Sequence, residues 1–139
     1  MELQETPIDL EAYFHRIGYE GPREPTAEVL EALQLAHATH IPFENLDILL
    51  GRSIRLDLAS LQAKIVAGRR GGYCFEHNRL FWSILDSLGY DAIPLAARVR
   101  LGSSRLRART HMLMMVTIDQ QPLITDVGFG AGGLLHPLH

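Results

Sequence analysis

Arg69-Arg70-Gly71-Gly72-Tyr73-Cys74-Phe75-Glu76 is the stretch on which the reading of this chain turns. The glycine pair gives a tight turn. The cysteine then opens an amphipathic segment over 74–88, where Phe75, Phe81, Ile84, Leu85 and Leu88 recur at helical spacing. Gly89 supplies the C-terminal stop. A cysteine at such a helix start meets several unpaired backbone N–H groups and the positive end of the helix dipole. Both stabilise a thiolate, and the amides also suit an oxyanion on a carbonyl under attack. A lone cysteine is equally often a small buried hydrophobe, and these residues by themselves leave both readings open.

Upstream of the cysteine the pattern is helical. Leu10, Tyr13, Phe14 and Ile17 follow helix spacing after Asp9, and Gly18 is placed to end that turn. Thr26, after Pro25, can cap a second helix with Val29, Leu33 and Ala36 on one face. Asp57 can cap a third with Leu58, Leu61 and Ile65 inward, stopped by Gly68. Downstream the period changes to two. Ile93, Leu95, Ala97, Val99 and Leu101 alternate with Pro94, Ala96, Arg98 and Arg100, which predicts a strand with one buried face. Pro94 marks an edge or a bulge. A second strand is expected over 111–118, a turn over 119–122 and a third strand over 123–127. The glycine-rich tail after it shows no closing element. The expected fold class is therefore α+β: a helical domain over 1–89, then an incomplete antiparallel β-barrel domain over 90–139. Three strands leave open edges, and self-association through them is plausible on that ground.

Composition narrows the function classes. The 139 residues are 47% hydrophobic and 21% charged, the balance of one globular domain. A formal charge of −3 gives no overall field for nucleic acid or an anionic membrane. Met1 to Glu5 is acidic with no apolar core behind it, unlike a secretory signal. No apolar run approaches the roughly 18–20 residues of a membrane span. A single cysteine forms no intrachain disulfide and no zinc cluster. A cytoplasmic protein with a reduced thiol and no metal is the expectation.

A thiolate nucleophile needs a base, and the base an orienter. Among seven histidines, His15 and His37 lie in helical segments beside polar neighbours and read as solvated. His40 reads as a loop residue, and His136 and His139 stand near a ragged end. His77, about one helical turn after Cys74, can touch it locally. His111 begins one strand and Asp126 ends the next, so a turn at Pro122 can bring the two side chains together. An ordinary polar strand residue and a turn-capping acid explain them as well. Arg98, Arg100, Arg105, Arg107 and Arg109 form either a phosphate-attracting patch or a solvated loop.

Taken together, these motifs resemble the arylamine N-acetyltransferase family. Residues 70–76 look like its nucleophile motif. Thr110-His111 before an apolar strand, and Asp126-Val127-Gly128-Phe129-Gly130, look like two more. Ile41-Pro42-Phe43-Glu44-Asn45-Leu46-Asp47 resembles its upstream segment, so the likeness runs from about Tyr13 to Leu138. The resemblance implies a Cys74–His111–Asp126 triad on a cysteine-protease-like fold, and ping-pong transfer of acetyl from acetyl-CoA to arylamines or arylhydrazines. It implies Phe43, Tyr73 and Phe129 along the acceptor cleft, and Thr110, Gly128 and Gly130 near the cofactor. It also implies a third domain, expected to be absent from a chain of this length, and with it much of the acetyl-CoA site. Two alternatives follow. One is a scaffold or partner-binding fragment with a silent triad. The other is a papain- or transglutaminase-like hydrolase, disfavoured because Gly68 and Asp126 stand where papain-like proteases carry glutamine and asparagine.

Overall fold

A computed structural model describes residues 6–139; the acidic N-terminal stretch read above lies outside the described residues. Among the described residues, five α-helices and one π-helix precede an open three-stranded sheet. Helix α1 (Leu10–Ile17) begins where the Asp9 carboxylate accepts the Ala12 N–H, and it ends at Gly18 in the left-handed region. Helix α2 (Ala27–His40) starts on the Thr26 hydroxyl. Tyr13, Ile17, Leu30 and Leu33 from these two helices are wholly buried, and they form the core with Phe81, Ile84 and Leu85 of α5 (Cys74–Ser87). Among the described residues no helix is long and apolar enough to cross a membrane.

Between α2 and α5 the chain departs from the periodic reading. A single turn, α3 (Leu46–Leu49), was not signalled, because its apolar residues point mostly to solvent. The predicted third helix begins as α4 (Leu58–Leu61), capped by Asp57, but continues as a π-helix over Gln62–Ala67. That widening closes with the Gly68 N–H on the Ala63 carbonyl, 2.8 Å. Arg16 explains why it is held. Its buried guanidinium donates to the carbonyls of Ile65 (2.9 Å), His40 (2.6 Å), Arg69 (3.4 Å) and Arg70 (3.3 Å). One cation thus ties α1 to the ends of α2, the π-helix and the loop before Cys74.

Strands β1 (Asp91–Ala97), β2 (His111–Ile118) and β3 (Gln121–Thr125) are antiparallel in the order β1-β2-β3. The first strand stops at Ala97, four residues short of the predicted Leu101. None of its residues is fully buried, and Ile93 is exposed. As an edge strand it has one neighbour, and its alternation does not meet a covered face; Pro94 sits there without interrupting a ladder on both sides. The hairpin turn is tighter than expected. Asp119 and Gln120 both have positive φ (49° and 64°), so Gln121 and Pro122 already belong to β3. The tail is not ragged either. Leu138 exchanges backbone hydrogen bonds with Ile124 (2.8 and 2.9 Å), the Leu134 carbonyl accepts from Gln34, and His136 reaches Glu31 at 2.7 Å. The outer edge of β3 is therefore covered at Ile124.

The turn before α5 has no room for a side chain. A Cβ on Gly71 would stand 1.7 Å from the Pro42 carbonyl oxygen, which is a backbone atom that cannot swing aside. Gly71→Ala is expected to destabilise the fold by about 1–3 kcal/mol, through forced displacement of the 42–44 strip. Urea unfolding followed by circular dichroism measures it, and an unchanged midpoint contradicts it.

Candidate active site

The amino end of α5 sets Cys74 in place. Glu76 Oε2 accepts the Tyr73 N–H at 2.9 Å, so the third helical residue reaches back to the cap. Its other oxygen accepts from Lys64 Nζ at 2.7 Å, and Lys64 also meets Asp47 at 2.9 Å. Arg70 pairs with Glu44 and, at 3.1 Å, with Asp47. Lys64 first, then Arg70, pulls the Asp47 carboxyl down to about 2. The π-helix, the 44–47 segment and the nucleophile loop are thereby braced around the start of α5.

Cys74 is 8% exposed, and its sulfur lies 3.8 Å from the Thr110 carbonyl, the last residue before β2. His111, first residue of β2, donates from Nε2 to Asp126 Oδ2 at 2.5 Å. The Cys74 thiol is the second side chain that acts on the His111 imidazole. The hydrogen bond to Asp126, then that to Cys74, pushes the His111 imidazole up to about 9. Burial by itself would raise the Asp126 carboxyl. Hydrogen bonds from His111, Asn78 and the Gly128 N–H outweigh it and hold the carboxyl below its ordinary range. The thiol at the start of α5, the imidazole at the start of β2 and the carboxylate just after β3 are thus brought together, an arrangement able to move a proton off sulfur and hold it.

A family model described as N-acetyltransferase matches residues 26–139. The arylamine N-acetyltransferase of Escherichia coli K12 is 46% identical over 134 residues, covering 96% of this chain and 47% of the relative. This chain belongs to the arylamine N-acetyltransferase family. It spans about half the length of the curated relatives it matches. Among solved structures, the Salmonella typhimurium arylamine N-acetyltransferase superimposes with a TM-score of 0.89 at 44% identity, over 96% of this chain and 49% of that one. The Mycobacterium marinum enzyme in complex with CoA gives 0.88 at 43%, over 94% and 50%.

The remaining residues singled out from sequence gather unevenly around Cys74, His111 and Asp126. Phe129 meets the His111 ring edge-on at 5.2 Å between centroids. Phe43 is 44% exposed, pairs with Gly72 in an isolated bridge and lies against Gly130, where a Cβ would stand 3.3 Å from its ring. Gly128 is required by close approach, because a Cβ there would come 2.9 Å from the Cys74 Cα. Tyr73 is half-buried and leans on Phe75, with 5.5 Å between ring centroids. Thr110 is exposed and contributes its carbonyl. The five arginines of residues 98–110 all stand exposed, with Arg98 held on the Arg107 carbonyl. A cavity of about 300 Å³ lies beside Asp126, Phe129 and Gly130, and another of about 290 Å³ joins His111 to Phe75, Leu95 and Met112. A roomier cavity, about 600 Å³, lies elsewhere, between α1 and the π-helix.

Three histidine readings need correction. His37 is not solvated but wholly buried, hydrogen-bonded to Tyr13 at 2.8 Å and to His77 at 2.9 Å. His77 does not turn to Cys74; its Nε2 lies 3.1 Å from the Pro42 carbonyl. His40 closes α2 instead of standing in a loop. Sequence reasoning also missed Asn78. It donates to Asp126 Oδ1 (3.0 Å) and the Met112 carbonyl (2.7 Å), and accepts the Val127 N–H (3.1 Å). An amide four residues after the cysteine, among Leu80, Phe81 and Ile84, was the available signal.

The raised His111 sets a pH window. Folded His111 titrates near 9 against 6.5 for an unperturbed imidazole, so its contribution to stability is complete below about 6.5 and is lost as pH rises through 9. The depressed Asp126 acts in the opposite sense, contributing above its unfolded value and losing that contribution as pH falls through the folded one. Unfolding free energy is expected to drop by about 1–2 kcal/mol between pH 7 and 10. Asp126→Asn should flatten that alkaline limb. A limb equally steep in the variant rejects the pairing as its cause.

Proposed function

We propose that Cys74 takes the acetyl group of acetyl-CoA and passes it to the nitrogen of an arylamine or arylhydrazine. The observation that carries this reading is His111 held between the Asp126 carboxylate and the Cys74 thiol. The thiol proton rests on His111, whose raised pKa holds it there at neutral pH, and the sulfur attacks the thioester carbonyl. The bond from that carbonyl to the CoA sulfur breaks, and CoA departs with the proton from His111. One thioester replaces another, so the acetyl-enzyme forms near thermoneutrality. The amine then attacks acetyl-Cys74, gives its proton to His111, and the Cys74 sulfur leaves. Asp126 fixes the imidazole tautomer and stabilises the imidazolium in both halves.

In this reading residues 1–89 supply the nucleophile and residues 90–139 its base and acid, in the order found in cysteine proteases. Amides at the start of α5 receive the developing oxyanion. Phe43 and Phe129 flank the acceptor, since an aromatic wall suits a flat amine. Gly128 and Gly130 let this backbone close against the start of the Cys74 helix and against the Phe43 ring, which places it beside the reacting sulfur. That the M. marinum relative was solved with CoA supports acetyl-CoA as donor.

Intact mass after incubation with acetyl-CoA tests the first half-reaction. A gain of one acetyl group is expected on the parent and not on Cys74→Ser, and it should be discharged by an aminobenzoate. A folded parent that gains no acetyl rejects the reading for this chain.

A further inference from the structure

Behind the nucleophile helix lies a line of buried polar groups that the acetyl-transfer scheme does not use. Tyr13 of α1, His37 of α2 and His77 of α5 are joined by hydrogen bonds of 2.8 and 2.9 Å, and the line ends on the Pro42 carbonyl at 3.1 Å. All three side chains are 0–1% exposed. The chemistry of the ends fixes the direction of the line. A carbonyl can only accept, so His77 Nε2 carries a proton toward Pro42. Burial keeps both rings below the ordinary imidazole range, hence neutral, and His77 Nδ1 must then accept from His37 Nε2–H. His37 Nδ1 in turn accepts the Tyr13 hydroxyl. Every group is satisfied in one proton arrangement only.

That line terminates on Pro42, between Ile41, which is buried, and Glu44, which is tied to Arg70 and to the Gly71 N–H. Pro42 has no N–H to give. Phe43 and Glu44 run beside the nucleophile loop through the Phe43–Gly72 bridge and the Glu44 N–H on the Gly72 carbonyl at 2.9 Å. The Phe43 ring lies parallel to the His77 ring, within 1° at 6.4 Å, with Gly130 beneath it and the rest open. We propose that His77, fixed by His37 and Tyr13, is a positioning residue that holds Pro42 and thereby sets Phe43 as the aromatic wall beside Cys74. The inference rests on the reading of Phe43 as part of the acceptor cleft, and it assigns the discrimination for aromatic acceptors to buried groups that touch no substrate.

Alkylation of Cys74 tests this without acetyl-CoA, so failure of acetyl transfer and failure of this inference are distinguishable. The quantity is the ratio of second-order rate constants for 2-bromoacetanilide and bromoacetamide, which share a reacting carbon and differ in the ring. Misplacing a wall by an ångström is expected to lower that ratio about tenfold in His77→Leu. Phe43→Leu should lower it as far. His77→Gln, whose amide can still donate to Pro42, should keep it within about twofold of the parent. A parental ratio in His77→Leu overturns the proposal, as does a loss in His77→Gln equal to that in His77→Leu. Should His77→Leu not fold, imidazole nitrogen NMR of the parent decides. Protonated Nε2 and bare Nδ1 on both rings support the line, and a proton on His77 Nδ1 overturns it.

Discussion

Asn78 is the point at which the helical part and the sheet become one site. It stands one turn after Cys74 on α5, fully buried, and uses its amide in three directions: to the Met112 carbonyl on β2, to the Asp126 carboxylate after β3, and from the Val127 N–H. A carboxylate buried beside a hydrophobic core is costly unless its lone pairs are occupied. Asn78 and Gly128 fill one oxygen of Asp126 and His111 the other. Take away the amide and the helix that carries the sulfur loses its fixed distance from the strands that carry the imidazole and the acid.

The same rule runs through the rest of the chain. Among the described residues no buried side-chain nitrogen or oxygen lacks a partner. Arg16 spends its donors on carbonyls at helix ends, Gln34 joins Thr125 to the Leu134 carbonyl, and Lys64 stands between two carboxylates. Fully satisfied polar networks specify one arrangement where apolar packing would tolerate several. Here they concentrate around the loop that delivers Cys74.

Helices α1, α2 and α5 were legible because each has a marked start and an apolar stripe: Asp9, Thr26 and the Gly-Gly turn at one end, Gly18 and Gly89 as stops. Cys74, His111 and Asp126 were legible as residues standing at element boundaries, and the family likeness named their company. The failures share a cause. Local pattern says nothing of tertiary hydrogen bonds, so the π-helix built around Arg16 read as plain α-helix, and His37 read as solvated from its polar neighbours in sequence. Strand β1 was overextended because alternation assumes a covered face, which an edge strand lacks. The tail read as ragged because glycines conceal the pairing of Leu138 with Ile124.

The most direct test of this account is the alkylation rate of Cys74 by iodoacetamide in Asn78→Ala, compared with the parent at one pH. The variant keeps thiol, imidazole and carboxylate and removes only the amide that joins their elements. A fall of about tenfold, in protein whose circular dichroism matches the parent, is the expected result. A parental rate would mean that His111 and Asp126 hold their line to the sulfur without Asn78, and the account of what assembles this site would be wrong.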